Sequence, residues 1–127
     1  MAKYRSKSLL GKDSSGLEFN PNVACHSWQE LEQYTNNCQA CGLSKSRTQV
    51  VAGRYSKNKK ADLLIIGEGP GQKEDEQGLA FVGDSGALLD IMLNAVGLDS
   101  WYITNVVRCR PLNNRAPTKA ECLSCWG

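Results

Sequence analysis

The sequence lacks any long hydrophobic run. No stretch of its 127 residues approaches the roughly 20 consecutive apolar residues of a membrane-spanning helix. The basic N-terminus is not followed by an apolar run of signal-peptide length. We therefore expect a soluble, cytoplasmic, monomeric protein that has no membrane partner.

Histidine is almost absent, and repeats are absent altogether. The single histidine, His26, stands at the entrance of a predicted helix, where we expect a structural role. The chain has neither internal repeats nor low-complexity tracts, and its length corresponds to one small domain at most. These observations exclude a repeat array and a two-domain enzyme.

An excess of charge of one sign is also lacking, because the formal net charge is only +2. The charges are nevertheless unevenly spread. Residues 1–60 hold ten Lys and Arg against four acidic residues, and residues 61–127 hold five against nine. This bias favours contact of the first half with a polyanion, and residues 1–24 are expected to form a basic, flexible arm.

Cysteine, in contrast, is plentiful. Six cysteines without an export signal favour bound metal or reduced thiols over disulfides. Cys25 has no partner pattern and is predicted to be a buried thiol.

Two sets of cysteine ligands are open. The pair Cys38 and Cys41 is common to both. Adding Cys122 and Cys125 makes two CxxC knuckles for zinc, although some eighty residues separate them instead of the usual 15 to 20. Adding Cys109 and Cys125 instead makes a four-thiolate set for an iron-sulfur cluster. Spacing alone does not choose between the two.

Residues 62–107 are predicted to form one right-handed βαβ unit with parallel strands. Residues 63–66 are a continuous apolar run, typical of a buried parallel strand, and residues 102–107 are the second strand. Residues 67–83 are predicted as a long loop, followed by a helix from Asp84 to a C-cap at Gly97. The buried side of that helix is expected to carry Leu88, Leu89, Met92, Leu93 and Val96.

Capping boxes predict two further helices. Ser27 with Glu30 opens one that runs to Asn36, and Thr118 with Glu121 opens another near the C-terminus. Residues 49–60 are predicted to be irregular and basic. Because a single βαβ unit cannot cover both faces of its sheet, we expect the chain to be the N-terminal part of a longer protein, cut inside a helix.

A series of short motifs in this order resembles the family 4 (iron-sulfur) uracil-DNA glycosylases over about residues 36–126. The motifs that carry the resemblance are Cys38-x-x-Cys41, Arg47-Thr48, Gly67-Glu68-Gly69-Pro70-Gly71 after its strand, Glu74-Asp75, Phe81-Val82-Gly83, Thr104-Asn105-Val106-Val107, Cys109-Arg110-Pro111, Asn114-Arg115 and Pro117-Thr118.

The resemblance implies a fold and a cofactor. The fold would be a three-layer α/β/α uracil-DNA glycosylase-like domain with a central parallel sheet, occupying residues 25–127 and truncated after the second strand. The cofactor would be a 4Fe-4S cluster on Cys38, Cys41, Cys109 and Cys125. The family's later His-Pro motif, whose histidine stabilises the departing uracil anion, has no counterpart in this sequence.

The resemblance also implies an activity: flipping of uracil out of DNA and hydrolysis of its N-glycosidic bond in base excision repair. Glu68 would be the catalytic acidic residue and would act as a carboxylate. Phe81 would stack on the base, and Asn105 would form hydrogen bonds with its edge. Gly67, Gly69, Pro70 and Gly71 would approach the substrate closely. DNA phosphates would be bound by the loop that carries Arg110, Asn114 and Arg115.

Three other interpretations remain at this point. A zinc-stabilised module could bind nucleic acid without chemistry. The glycine-rich turn could bind a nucleotide cofactor, although it fits neither the G-x-G-x-x-G nor the Walker spacing. A neighbouring glycosylase subfamily with wider damage specificity is the third.

Overall fold

The computed structural model describes residues 25–125, so the expected basic arm at residues 1–24 lies outside the described residues, as do residues 126 and 127. The elements in chain order are α1 (Trp28–Thr35), a 3-10 turn (Gly42–Lys45), β1 (Arg54–Tyr55), β2 (Leu63–Gly67), α2 (Gln72–Gln77), α3 (Asp84–Ala95), β3 (Trp101–Asn105), a second 3-10 turn (Leu112–Asn114) and α4 (Lys119–Cys125).

The sheet has three strands in the order β1-β3-β2. β2 and β3 are parallel and in register from Leu63 opposite Trp101 to Gly67 opposite Asn105, which confirms the predicted parallel pair. β1 is antiparallel to β3, so the sheet is mixed and the prediction of a purely parallel sheet is wrong. A two-residue strand inside the basic segment 49–60 carries no periodic signal, and only its pairing with β3 defines it.

α1 begins at its predicted cap. The Ser27 hydroxyl accepts a hydrogen bond from the Glu30 N–H at 3.1 Å, and the Glu30 carboxylate accepts one from the His26 N–H at 2.6 Å. The helix is anchored to the sheet by Trp28, whose ring stacks on Tyr102 with 3.9 Å between centroids. Burial raises the pKa of Tyr102 to about 12. Cys25, before the cap, is only partly buried, so its prediction as a buried thiol is wrong.

α3 ends as predicted, with Gly97 in the left-handed region at φ 72°. Fewer side chains of α3 are buried than expected. Leu93 is 6% exposed and Leu89 packs against the same core, but Leu88, Met92 and Val96 are between 53% and 68% exposed. The three-stranded sheet is too narrow to cover more of the helix, and no other element of residues 25–125 lies over it.

β2 is an edge strand, and this corrects the prediction of a buried one. Ile65 is partly buried against the core, whereas Leu64 and Ile66 on the other face are 52% and 57% exposed. The continuous apolar run therefore reflects a face that nothing in the described part of the chain covers.

α2 lies inside the segment that was predicted to be a loop. It begins after Gly71 and ends at Gly78, which adopts φ 74°. Its Asp75 is only 3% exposed and accepts hydrogen bonds from the N–H groups of Thr48, at 2.9 Å, and Gln49, at 3.5 Å. The six hydrophilic residues have no apolar stripe, so helical periodicity could not reveal this helix.

Two small buried clusters stabilise the described part of the chain. One joins the sheet to α3 through Val51, Ala80, Leu93 and Ile103. The other joins the loops around the cysteines and is made of Leu43, Val50, Val107 and Cys109. Within residues 25–125, no helix has the length and apolar character needed to cross a membrane.

Candidate functional site

A cleft of about 560 Å³ opens where β2 and β3 end. In open α/β sheets, ligands bind outside the carboxyl ends of the parallel strands. The cleft has the expected position because β2 leads into the glycine-rich turn and β3 ends at Asn105. Its lining includes the predicted site residues Glu68, Gly69, Pro70, Gly71, Phe81, Asn105, Asn114 and Arg115.

Gly67 brings two of these side chains together. It ends β2 directly opposite Asn105, the last residue of β3. A Cβ atom on Gly67 would lie 2.5 Å from Asn105 Oδ1 and 2.5 Å from Phe81 Cζ. Any side chain at this position would therefore displace the amide, the ring or both. The aromatic ring and the amide, which are 24 positions apart in the sequence, meet over this glycine.

Phe81 has an unusual backbone. Its φ is 57°, in the left-handed region that residues with a side chain rarely adopt, and such a conformation costs about 1–3 kcal/mol. Gly86 packs directly on the Phe81 carbonyl group, leaving no room for a Cβ atom. The following amides, Val82 N–H and Gly83 N–H, donate to Glu74 Oε2 at 3.1 and 2.7 Å. This strained segment directs the ring to the cleft.

Glu74 links the two loops of the cleft. In addition to the Val82 and Gly83 amides, its carboxylate accepts a hydrogen bond from the Gly71 N–H at 3.0 Å. This role of Glu74 was not predicted from the sequence. The available signal was that Glu74 stands three residues after Gly71, the helix cap, where a glutamate can accept a hydrogen bond from the cap N–H.

Glu68 and the glycine-rich turn lie on the floor of the cleft. Glu68 is exposed there, Pro70 is buried, and Gly69 and Gly71 are partly buried. A Cβ atom on Gly69 would lie 2.9 Å from Val107 Cγ2, so the turn lies close to the second residue after β3. An exposed carboxylate beside an amide and an aromatic ring can orient water next to a bound planar molecule.

The loop predicted to contact DNA borders the same cleft. Arg110 Nε donates to Asn114 Oδ1 at 2.7 Å, and Asn114 has φ 57°. Arg115 forms an ion pair with Glu121 at 2.7 Å, and its hydrogen bond holds the pKa of Glu121 below the ordinary value. The Arg115 charge is thus partly matched by a residue of α4, while Arg110 donates to a neutral side chain.

The four cysteines implied by the resemblance gather on the far side of this loop. Cys41 and Cys125 pack against the buried cluster that contains Cys109. Burial raises the pKa of the Cys125 thiol, and the neighbouring Cys41 and Cys38 thiols raise it further. Burial also raises the pKa of Cys109, with smaller contributions from Cys125 and Cys41. Cys125 therefore lies near the other three sulfur atoms.

Hydrogen-bond donors contact two of these thiols. Arg47 Nη1 donates to Cys109 Sγ at 3.3 Å, which lowers the pKa of this thiol and opposes the effect of burial. The Arg108 backbone N–H has the same lowering effect on the pKa of Cys125. A ligating cysteine must be a thiolate, so such donors favour ligation.

The donor types fit either metal centre. Among residues 25–125, no group of three or more His, Cys, Asp or Glu side chains is arranged to hold a metal ion. Thiolates are ligands of zinc and of iron-sulfur clusters, and a 4Fe-4S cluster takes four of them. Cys41, Cys109, Cys122 and Cys125 share one apolar shell.

Comparisons with known proteins match this geometry. The sequence profile of the uracil DNA glycosylase superfamily matches residues 54–127. The Type-4 uracil-DNA glycosylase of Archaeoglobus fulgidus is 46% identical over 101 residues, which cover 78% of this chain and 50% of the relative. Those of Thermotoga maritima and Pyrobaculum aerophilum are each 42% identical, over 97 and 99 residues, and half of each is covered.

The chain spans about half the length of the curated relatives it matches. The superfamily profile begins at β1 and continues through α4, so its match contains the sheet, the cleft, Cys109 and Cys125, whereas Cys38 and Cys41 precede it. Together these findings show that the chain belongs to the uracil DNA glycosylase superfamily, with Type-4 enzymes among its relatives.

Proposed function

We propose that this chain provides the uracil-binding and hydrolytic face of a DNA glycosylase that acts in base excision repair. One observation carries the proposal: an amide, Asn105, and an aromatic ring, Phe81, meet over Gly67 in a cleft at the carboxyl ends of β2 and β3. A planar base with a hydrogen-bonding edge suits this pair of groups. The names of the Type-4 relatives support uracil as that base.

The base must leave the helix before it can enter the cleft. Enzymes that act on a base extrude it from the duplex, because its reacting bond is not accessible in the stack. Phe81 receives the extruded pyrimidine by stacking, which contributes about 1–3 kcal/mol per base. The fixed backbone of residues 81–83 supports this role because the ring does not have to be ordered on binding.

Asn105 distinguishes uracil from cytosine. Its amide N–H donates to O4 of the base, and its amide oxygen accepts from N3–H. Cytosine has an amino group and an unprotonated N3 at these positions, which leaves a fixed amide unpaired. Asn105 is 5% exposed, so the cost of the lost hydrogen bonds is high.

Glu68 acts on water and on the sugar. Its carboxylate orients a water molecule for attack at C1′, and its negative charge stabilises the positive charge that develops on the sugar ring. The exposed position of Glu68 on the cleft floor supports this role.

Arg110, Asn114 and Arg115 bind the phosphates that flank the extruded nucleotide. Cys38, Cys41, Cys109 and Cys125 hold a 4Fe-4S cluster, which supplies a rigid structural link and no redox step. Cys109 immediately precedes Arg110, and α4, which ends at Cys125, begins four residues after Arg115. The chain between these two cysteines therefore contains the proposed phosphate-binding loop, and fixing both cysteines would fix the shape of the loop.

Release of free uracil from a single-stranded oligonucleotide with one deoxyuridine tests the proposal. Wild type is expected to release uracil, and Asn105→Ala is expected to be about a hundredfold slower, because two hydrogen bonds to a buried edge are lost. Asn94→Ala is the matched control, since Asn94 is an exposed asparagine of α3 outside the cleft. Equal rates for Asn105→Ala and Asn94→Ala would rule out the proposed role of Asn105 in recognising uracil.

A further inference from the structure

Arg54 belongs to the basic half of the chain but faces the interior of the protein. It lies on β1 opposite Ile103 of β3, and its side chain is 19% exposed. Its guanidinium carbon lies 4.9 Å from the centre of the Trp101 ring. A cation that is stacked and mostly covered in this way is poorly placed to meet a polyanion, so Arg54 needs another explanation.

The guanidinium of Arg54 holds the segment that precedes the strained turn. Its Nε donates to the Ala80 carbonyl oxygen at 3.0 Å, and its Nη2 donates to the Phe81 carbonyl oxygen at 3.2 Å. Nη2 also contacts Asp90 Oδ1 of α3 at 2.9 Å. The planar fork of an arginine can contact two successive carbonyl groups and a carboxylate together, which a lysine ammonium cannot do from one position.

These bonds act on a residue whose backbone is strained. Phe81 has φ 57°, and a backbone in this region persists only where its surroundings hold it. Arg54 holds the carbonyl side of Phe81, and Glu74 holds the amides of Val82 and Gly83 after it. The ring of Phe81 is thereby fixed against Gly67 and Asn105.

Arg54 does not line the cleft, so any effect on a bound base passes through Phe81. We infer that Arg54 is a positioning residue, which fixes the Phe81 ring in the orientation that receives the extruded base. Asp90 and Trp101 orient Arg54 in turn. The kinetic part of this inference, the effect of Arg54 on uracil release, rests on the proposed function. The structural part, its effect on the backbone of residues 81–83, does not.

The structural part is tested by amide hydrogen exchange, measured by NMR on the whole chain. Arg54→Lys keeps the charge and most of the side chain but loses the fork. We expect the Val82 and Gly83 amides to exchange at least about tenfold faster in this variant, because loss of charge-assisted hydrogen bonds loosens the turn. Lys57→Arg, a charge-conserving change at an exposed lysine nearby, is the control and should leave these rates unchanged.

The kinetic part is tested by single-turnover uracil release in a double-mutant cycle. Arg54→Lys is expected to reduce the rate about tenfold, but less than about twofold when Phe81→Ala is already present. If Arg54 had only a general structural role, Arg54→Lys would reduce the rate of uracil release by the same factor with and without Phe81→Ala. That result, or unchanged hydrogen exchange at Val82 and Gly83, would overturn the inference. If wild type releases no uracil, the proposed function fails, and hydrogen exchange alone decides the role of Arg54.

Discussion

Cys122 and Cys125 lie one helical turn apart on α4, yet their sulfur atoms have different surroundings. Cys125 receives the Arg108 N–H and lies near Cys38 and Cys41. Cys122 packs against the same apolar cluster as Cys125. Spacing along the sequence treats the two as equivalent members of a CxxC pair, so it could not decide which one ligates.

Serine substitutions separate the two possible metal sites. In anaerobically purified protein we expect iron and sulfide in wild type and in Cys122→Ser, and their loss in Cys109→Ser, because a cluster of this type needs four thiolates. Elemental analysis and the visible absorption spectrum provide the measurement. Zinc that persists in Cys109→Ser and disappears in Cys122→Ser would instead support the zinc-stabilised module.

Three acidic residues of one short segment have three different surroundings. Glu68 is exposed in the cleft, Glu74 accepts from three backbone N–H groups, and Asp75 is the buried residue of α2. From the sequence, Glu68 could be assigned only through a family resemblance, and Glu74 and Asp75 could not be separated from a solvated loop. Their partners lie up to 27 positions away, and local sequence contains no record of such contacts.

At the level of elements, the strong patterns predicted structure well and the weak ones did not. The capped helices α1 and α4 and the parallel pair β2 and β3 were predicted because caps and apolar runs are local signals. α2 and β1 were missed, since both are short and are stabilised by distant partners. The buried side of α3 was overestimated, because an apolar stripe indicates which side prefers burial and not how much of it is covered.

α2 contributes to stability mainly through Asp75. Asp75→Ala would remove the buried carboxylate that accepts from the Thr48 and Gln49 amides, at a cost of about 1–3 kcal/mol in the free energy of unfolding. Glu76→Ala, at the exposed neighbouring position of the same helix, is the control and should change this free energy by less than about 0.5 kcal/mol. Denaturant unfolding measures both, and equal effects would show that α2 does not anchor this segment.

At the level of the whole molecule, the cleft and the cysteines form adjacent parts of one assembly. β2 and β3 end at the cleft, and the chain that continues from β3 passes through Cys109, the loop that carries Arg110 and Arg115, and α4. Sequence analysis predicted this order because a βαβ unit brings the carboxyl ends of its strands to one edge. It could not predict that Gly67 would be the contact point of Phe81 and Asn105, which depends on the register of β2 and β3.

The central claim is that the contact of Phe81 and Asn105 over Gly67 forms a uracil site, and glycine substitutions test it most directly. A Cβ atom on Gly67 would displace the amide, the ring or both, whereas one on Gly42 meets nothing within 4 Å. With oligonucleotides that carry one deoxyuridine or one deoxycytidine, we expect wild type and Gly42→Ala to release uracil and no cytosine, because Asn105 pairs only with the uracil edge. Gly67→Ala should be about a hundredfold slower while it melts near the wild-type temperature. Absence of uracil release by wild type, or equal rates for the two variants, would contradict the account.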